Sequence, residues 1–498
     1  GKIKTIYELT PLQEGMLYQN IQETEGDYFI QMRLKLNNKN EKIIKSAIQL
    51  LVKKHDVLRS AFIYNKVKKP VQVIIEDREA EFVVKRINDK CDIESIEKEN
   101  IMRGFKLDSD RLFRVHYIQN PSGNDKLVIS YPHIIMDGWS NSIIINDLNY
   151  FYNELLSGKD YNSLEQQIMS EKNNRGTFSD YLQLLKEQDF VKAKKYWSDL
   201  LEGVDSITEI APIYVNVESD ELVKKAMCEL TKELEIKIGE KCARKGISKS
   251  VFFESAIAVL LSKIIRCEDV VFGKILSGRN YELRNINDIV GMFINTIPER
   301  IKINSETMVD SLLNEVNQQF FDSLENSYVG LSEIQKNHVL GSNLIKILYT
   351  YENYPESENE EDFFFEIEDF REQTDYSIGF IVAEDKCGIV VSVLFNPKMY
   401  TDEEINNILS RLNFVLSAMV ENDVRVSDIE VVDQHEIEKI KGFGNSEENY
   451  SPKVIGDLLK EVVKQNSDKI AVIDKNTSLT FSEFNNKINS LAQHLCEY

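Results

Sequence analysis

Basic side chains are in short supply. The 498-residue chain carries 60 Lys+Arg against 82 Asp+Glu, a net charge of −22 at pH 7. A surplus of negative charge argues against a protein that grips a nucleic-acid backbone, which needs clustered cations. Prolines number 9 and glycines 21, too few for a fibrous or low-complexity chain, and no periodic self-similarity marks a solenoid or propeller. The six cysteines (Cys91, Cys228, Cys242, Cys267, Cys387, Cys496) form no CxxC pair and have no His at ligand spacing, so neither a disulfide framework nor a metal site is expected. The longest apolar stretch, around residues 255–265, falls short of the ~20 residues of a membrane span. Residues 1–7 lack the basic-then-apolar pattern of a signal peptide. The expectation is a reduced, soluble, cytoplasmic protein with no membrane or nucleic-acid partner.

What is present is the composition of an ordinary globular protein, 42% apolar and 29% charged, long enough for about three folding units at roughly 150 residues each. In residues 9–18 (LTPLQEGMLY), Thr10 suits a helix cap, Pro11 a first helical position, and Leu12, Met16 and Leu17 one helical face. Residues 28–36 alternate as a strand does, 41–54 have the period of an amphipathic helix, and 55–62 return to strand-like sequence. Two β-rich runs, 112–118 and 126–131, flank the hairpin signal NPSGND. A helix at 141–157 and a polar helical bridge at 162–203 follow. A second lobe opens with the strand-like run 224–230, continues with a helix at 250–265 and a strand at 269–276, and has later strands at 345–351, 378–383 and 389–395. Residues 356–369 (ESENEEDFFFEIED) read as a solvated loop entering a buried strand, with Phe363–Phe365 as core. After Val432 comes a polar connector, 433–449, and then residues 451–498, with a helix, a short strand at 470–474 and a helix from about Ser482. Fewer than fifty residues bury little core alone, so this last part reads as the start of a truncated domain. The alternation of helices and strands gives an α/β or α+β class with two sheet-containing halves, and a cleft between such halves is a common place for a site.

Chemistry concentrates in residues 126–140 (KLVISYPHIIMDGWS). A strand runs out at Tyr131, Pro132 ends ladder pairing for want of an N–H, His133 stands at the strand exit, Asp137-Gly138 makes a turn and Ser140 caps the next helix. An imidazole of ordinary pKa about 6.5 in that place serves either as a base or as a satisfied structural residue. Asp137 taken alone is a turn residue or an ion-pair partner. No Ser or Cys stands in a nucleophile elbow, so His133 suits a direct transfer between two bound substrates better than a covalent route.

Residues 132–140 resemble the His-His-x-x-x-Asp-Gly signature of the condensation domains of nonribosomal peptide synthetases, members of the chloramphenicol acetyltransferase-like fold. Other stretches resemble that family in order: 9–18 its opening motif, 54–62 (KHDVLRSAF) its second, and 178–189 its bridge. Further on, 271–280 (VFGKILSGRN), 289–300 (IVGMFINTIPER), 351–355 (YENYP) and 374–377 (TDYS) resemble its later ones. The likeness covers about residues 5–430, and 451–498 resembles the opening of an adenylation domain.

The resemblance implies two chloramphenicol acetyltransferase-like lobes in a V-shaped pseudo-dimer with a tunnel between them. Residues 1–175 would form the N-terminal lobe, 176–430 the C-terminal lobe, 431–450 a linker and 451–498 an adenylation fragment. It implies peptide-bond formation, in which the amine of a downstream carrier-bound aminoacyl group attacks the thioester on an upstream carrier. No cofactor is bound directly; both substrates arrive on the 4'-phosphopantetheine of partner peptidyl carrier domains. His133 matches the second signature His and would act as base or orient the amine. Gly138 would let backbone approach the reacting centre. Asp137 would point away from the substrate and pair with Arg279. Asn295 and Thr296 would lie at the crossover near the tunnel, with structural rather than catalytic roles, and Ser377 belongs to a late motif there. Arg59 reads as a packing or hydrogen-bonding residue.

Two departures stand out. Pro132 occupies the place of the first signature His. In residues 19–27, Gly26-Asp27 matches a motif of dual epimerising domains, but Gln19 and Asn20 stand where it has histidines, which disfavours epimerisation. An epimerisation-type relative, a starter domain and a non-catalytic carrier-docking platform are the alternative readings.

Overall fold

The computed structural model describes residues 2–22, 29–37, 40–65, 67–87, 91–120, 123–172, 175–212, 223–353, 363–371, 376–421, 423–432, 434–444 and 454–496. The chain divides into two units, Gly1–Val431 and Val432–Tyr498.

The larger unit is built on two main sheets. One has five strands in the order Phe365–Arg371, Phe29–Leu36, Lys126–Pro132, Arg114–Gln119, Glu81–Arg86. All neighbours in it are antiparallel except the last pair. The other has six, in the order Asn295–Lys302, Asp269–Leu276, Ile347–Glu352, Ile378–Glu384, Ile389–Phe395, Lys224–Glu229, with Ile347–Glu352 parallel to both its neighbours. A three-stranded antiparallel sheet joins Ile3–Glu8, Val71–Ile75 and Ser60–Ile63. The mixed α/β class expected from the alternation is what the protein adopts.

Local chemistry explains the elements beside the site. The helix Glu41–Lys54 starts where Asn40 accepts from Ile43 N–H and ends on Lys53 and Lys54, cations that suit the negative end of the helix dipole. Its Ile44, Ala47, Ile48 and Leu51 are fully buried, at the i, i+3, i+4, i+7 spacing that makes one face; each large side chain so buried contributes ~1.5–3 kcal/mol. His55 Nε2 then lies 2.6 Å from Asp147 Oδ2, tying this helix to Gly138–Leu156. The bridge is three helices, Tyr161–Lys172, Phe178–Lys186 and Phe190–Leu200. Thr177 and Asp180 form a capping box on the second, and Asp189 caps the third.

Several expectations need correction. Residues 55–62 are not one strand: Asp56–Arg59 is a 3₁₀ turn before the strand Ser60–Ile63. Arg59 is buried, its guanidinium bonded to Ile75 O at 3.2 Å, Lys53 O at 3.1 Å and Asp56 at 2.6 Å, so it closes that turn. The ladder does not stop at Tyr131, since Pro132 still pairs in register with Phe29. Pairing with the other neighbour already ends at Ser130, and the last residue of a strand is a place where proline is tolerated. The two halves are not separate in sequence either. Phe365–Arg371, far into the second half, is an edge strand of the first sheet.

In the smaller unit the connector expected over 433–449 contains a helix, Gln434–Gly444. Beyond it lie the helices Ile455–Asn466 and Phe481–Cys496 and a hairpin of Ile470–Ile473 with Ser478–Thr480. Neither of these two helices has a buried residue. Residues 354–362, 372–375 and 445–453 lie outside the described residues, as do 23–28 and the side chains of Gln19 and Asn20. So most of the acidic run, parts of both late motifs and the epimerisation-like stretch are not described.

Candidate active site at the end of the central strand

Lys126–Pro132, the middle strand of its sheet, delivers His133 into a single 3₁₀ turn, His133–Ile135, before the helix Gly138–Leu156 begins. Met136 N–H donates to His133 O at 3.2 Å, and His133 Nδ1 lies 3.0 Å from Met136 O. A carbonyl oxygen only accepts, so Nδ1 carries the hydrogen; in the neutral ring Nε2 then holds the lone pair. The imidazole is 7% exposed. Its orientation and tautomer are thus set by the turn that carries it.

Asp137 is the N-cap of the following helix, and its carboxylate is fully buried. Oδ1 accepts from Ser140 N–H at 2.9 Å and from Ser140 Oγ–H at 2.7 Å, while Oδ2 accepts from Phe293 N–H at 2.9 Å. Asp137 N–H donates to Gly291 O at 3.2 Å, and Ser140 Oγ accepts from Gly291 N–H at 3.2 Å. One carboxylate and one hydroxyl therefore fasten the helix start to residues 291–293 of the second half.

Arg279 completes the arrangement from the other side. It follows Gly278, whose φ of +66° and whose missing Cβ, which would fall 1.8 Å from Phe293 O, admit no other residue. Its Nη1 donates to Ile286 O at 2.5 Å and to Ile289 O at 2.9 Å, and Nη2 reaches Asp137 Oδ1 and Ser140 Oγ, each at 3.4 Å. The guanidinium lies over the Phe293 ring at 4.1 Å and near the Trp139 ring at 5.6 Å. Burial lowers its pKa, and Asp137 opposes that shift. The long contact with Asp137 and the two short ones to carbonyls make Arg279 first a clasp on residues 286–289 and second an ion-pair partner.

The other residues singled out in the sequence are dispersed. Asn295 opens the strand Asn295–Lys302 and donates from Nδ2 to Ser327 O at 2.6 Å and Val329 O at 2.9 Å. Thr296 is buried and pairs with Ile275. Ser377 donates from both N and Oγ to Lys346 O, at 3.1 and 2.8 Å, so it fastens the starts of two strands of the six-stranded sheet. Gly138 opens its helix without a left-handed φ. A cavity of about 20 Å³ runs past Thr10, Tyr181, Tyr281, Phe293, Asn295 and Tyr328, room for about one water; His133 is not among its lining residues. Sequence reasoning missed the part played by Phe293 N–H and by Gly291. Backbone groups leave no mark in a sequence, although both residues lie in the quoted stretch 289–300. Among the described residues no group of three His, Cys, Asp or Glu side chains could hold a metal ion, and no helix is long and apolar enough to cross a membrane.

Comparison with known proteins gives this arrangement its context. A family model described as the condensation domain matches residues 3–441. Surfactin synthase subunit 2 of Bacillus subtilis (strain 168) is 29% identical over 517 residues, covering 100% of this chain and 14% of that protein. Bacitracin synthase 1 of Bacillus licheniformis is 28% identical, covering 100% of this chain and 10% of that protein. The chain thus spans between about a tenth and a seventh of the length of these curated relatives. Among solved structures, a four-domain nonribosomal peptide synthetase bound to AMP and glycine has a TM-score of 0.72 at 15% identity, over 100% of this chain and 39% of that one. The first condensation domain of the calcium-dependent antibiotic synthetase, in complex with a substrate analogue, has a TM-score of 0.67 at 14% identity, over 86% of this chain and 100% of that one. The structural likenesses carry the fold, the family model carries the membership, and on that ground the chain belongs to the condensation-domain family.

Proposed function

We propose that the chain works in the cytoplasm as a condensation domain of a nonribosomal peptide synthetase, joining two carrier-bound substrates by aminolysis of a thioester. The observation that carries this reading is the His133 ring at the end of the central strand, held by Nδ1–H to Met136 O, which makes Nε2 the basic nitrogen of the neutral ring. The amine nitrogen of the acceptor attacks the donor's thioester carbonyl, a C–N bond forms, the C–S bond breaks and the sulfur leaves. The proton given up by the amine passes to His133 Nε2 and on to the departing thiolate. Whether the ring takes the proton fully or only orients the amine, Nε2 is the atom that meets it. Asp137 and Arg279 hold the turn and the second half together and do not touch the substrates. Gly138 leaves room for the reacting groups, and Asn295 and Thr296 support the crossover between halves.

The substrates ride on the phosphopantetheine arms of an upstream donor and a downstream acceptor carrier domain. Residues 451–498 open an adenylation domain next in line. The relatives' names support this: they are synthases many times longer than this chain.

The test is a single-turnover reaction between a donor-loaded upstream carrier and an aminoacyl-loaded downstream carrier, read by intact-protein mass. Dipeptide on the downstream carrier, reduced roughly 10²–10⁴-fold in His133→Ala, is the expected result. Loaded carriers that bind the wild-type chain without any transfer would replace catalysis by a docking role.

A further inference from the structure

We infer that Gln13 is a positioning residue for His133, holding the turn that carries the imidazole through a side-chain hydrogen bond from another element; the inference rests on the reading of His133 as the group that meets the amine. Gln13 lies in the helix Pro11–Gln22 and its side chain is fully buried. Its Nε2 donates to Ile134 O at 2.9 Å, inside the His133–Ile135 turn, and to Gln72 Oε1 at 3.1 Å, while its Oε1 accepts from Thr10 N–H at 3.0 Å. The amide is oriented by its own neighbours before it reaches the turn.

The carbonyls of a short 3₁₀ turn need donors, and a buried one left without costs about 1–3 kcal/mol. Two of them are met from within the segment, His133 O by Met136 N–H and Met136 O by His133 Nδ1–H. Ile134 O, between them, is met from 121 residues away by Gln13. If that donor is lost, the peptide after Ile134 is free to rotate toward another donor. The bond from His133 Nδ1 to Met136 O spans that peptide, so the ring turns with it. The helix that supplies the amide is itself braced by the second half, for at Gly330 a Cβ would fall 2.4 Å from Pro11 Cβ. Gln13 thus couples the closeness of the two halves to the direction of Nε2.

A merely structural glutamine would act only on stability, and Gln72 provides the comparison. Gln72 is also fully buried, and its Nε2 donates to Ser60 Oγ at 2.6 Å. Gln13→Met and Gln72→Met both delete the Gln13–Gln72 bond, but only the first deletes the donor to Ile134 O. Both are expected to lower the melting temperature. Gln13→Met alone should move the His133 imidazole ¹⁵N resonances in histidine-labelled protein, assigned by their disappearance in His133→Ala. It should also slow single-turnover transfer on the order of tenfold or more at saturating loaded carriers, since misplacement of a reacting group by about 1 Å is that costly. The carrier concentration giving half-maximal rate should not change. Gln13→Glu, which keeps the shape and replaces the NH₂ by oxygen, should repeat the resonance shift if Gln13→Met does not fold. Unmoved His133 resonances in the variant that folds, or equal shifts in Gln13→Met and Gln72→Met, would overturn the inference. A wild-type chain that transfers nothing would instead sink the proposed function, and the resonances would still decide the role of Gln13.

Discussion

Deleting the carboxylate of Asp137 would take an acceptor from four donors at once: Ser140 N–H, Ser140 Oγ–H, Phe293 N–H and one arm of Arg279. Removing one partner of a buried ion pair typically costs about 3–5 kcal/mol, most of it from the charge left behind. His133→Ala removes the hydrogen bond from Nδ1–H to the Met136 carbonyl, worth about 1 kcal/mol. Asp137→Ala should therefore be the less stable variant by several kcal/mol in urea unfolding, while His133→Ala should be the more purely inactive one. Gly278→Ala should fail to fold at all, because its Cβ would overlap Phe293 O and its φ is left-handed; the check is soluble yield beside the wild type. At this scale the site was legible where it consists of side chains in a pattern. His133, Asp137 and Arg279 could be picked from their motifs. The sequence could not show that Asp137's closest tie to the second half is a backbone N–H, or that Ser377 is engaged with Lys346 O. Those facts depend on chain paths that bring distant segments together.

Among elements, the strand Phe365–Arg371 shows what sequence periodicity hides. Its alternation is blurred by acids: Glu366 pairs with Lys35 at 2.9 Å, Asp369 with Arg33 at 3.1 Å, and Glu368 with Lys126. The helix Glu41–Lys54 and the strand Asp269–Leu276 were readable to the residue because one shows a clean helical period and the other opens on the β-favouring run Val270-Val271-Phe272. The acidic strand is held at its start by aromatic packing. Phe364 and Phe365 are buried, and the Phe364 ring stacks on Tyr152 with centroids 3.8 Å apart. The core reading of Phe363–Phe365 holds for Phe364 and Phe365, while Phe363 is half-buried against the same core. Exposed ion pairs are worth up to about 1 kcal/mol and weaken with salt, whereas truncating a buried phenylalanine costs about 3–5 kcal/mol. Phe364→Ala should thus destabilise far more than Lys35→Ala in denaturant titrations, and 1 M salt should erase the Lys35→Ala effect while leaving that of Phe364→Ala.

For the molecule as a whole, one buried cluster sets a pH limit on stability. Glu254 and Glu299 are both fully buried in the second half, with Lys274 Nζ bonded to Glu254 and Gln319 Nε2 donating to Glu299. Burial pushes both carboxyls up, and for Glu299 the neighbouring Glu254 adds to the rise. Lys274 favours ionisation of both and is bonded to Glu254, and the rise is the larger at Glu299. A carboxyl whose folded pKa is raised contributes stability that is fully present below its unfolded pKa of about 4.3 and is lost as pH rises through the folded value. The urea midpoint should therefore fall on the alkaline side of that range. Glu299→Gln, a permanent mimic of the protonated acid, should flatten the decline; an unchanged slope in that variant would place the cause elsewhere.

The path of the strand Phe365–Arg371 also bears on how the chain is made. The strand Phe29–Leu36 offers one edge to Lys126–Pro132 and the other to Phe365–Arg371, and the contact between Arg33 and Asp369 spans 336 residues. At roughly 5–20 residues per second on the ribosome, that edge waits on the order of tens of seconds for its partner. Over that interval the nascent first half presents an unpaired strand to whatever else is nearby. A split of the gene between the two halves would make that wait permanent, so any working exchange of the second half with a relative's must leave residues 363–371 matched to the sheet they complete.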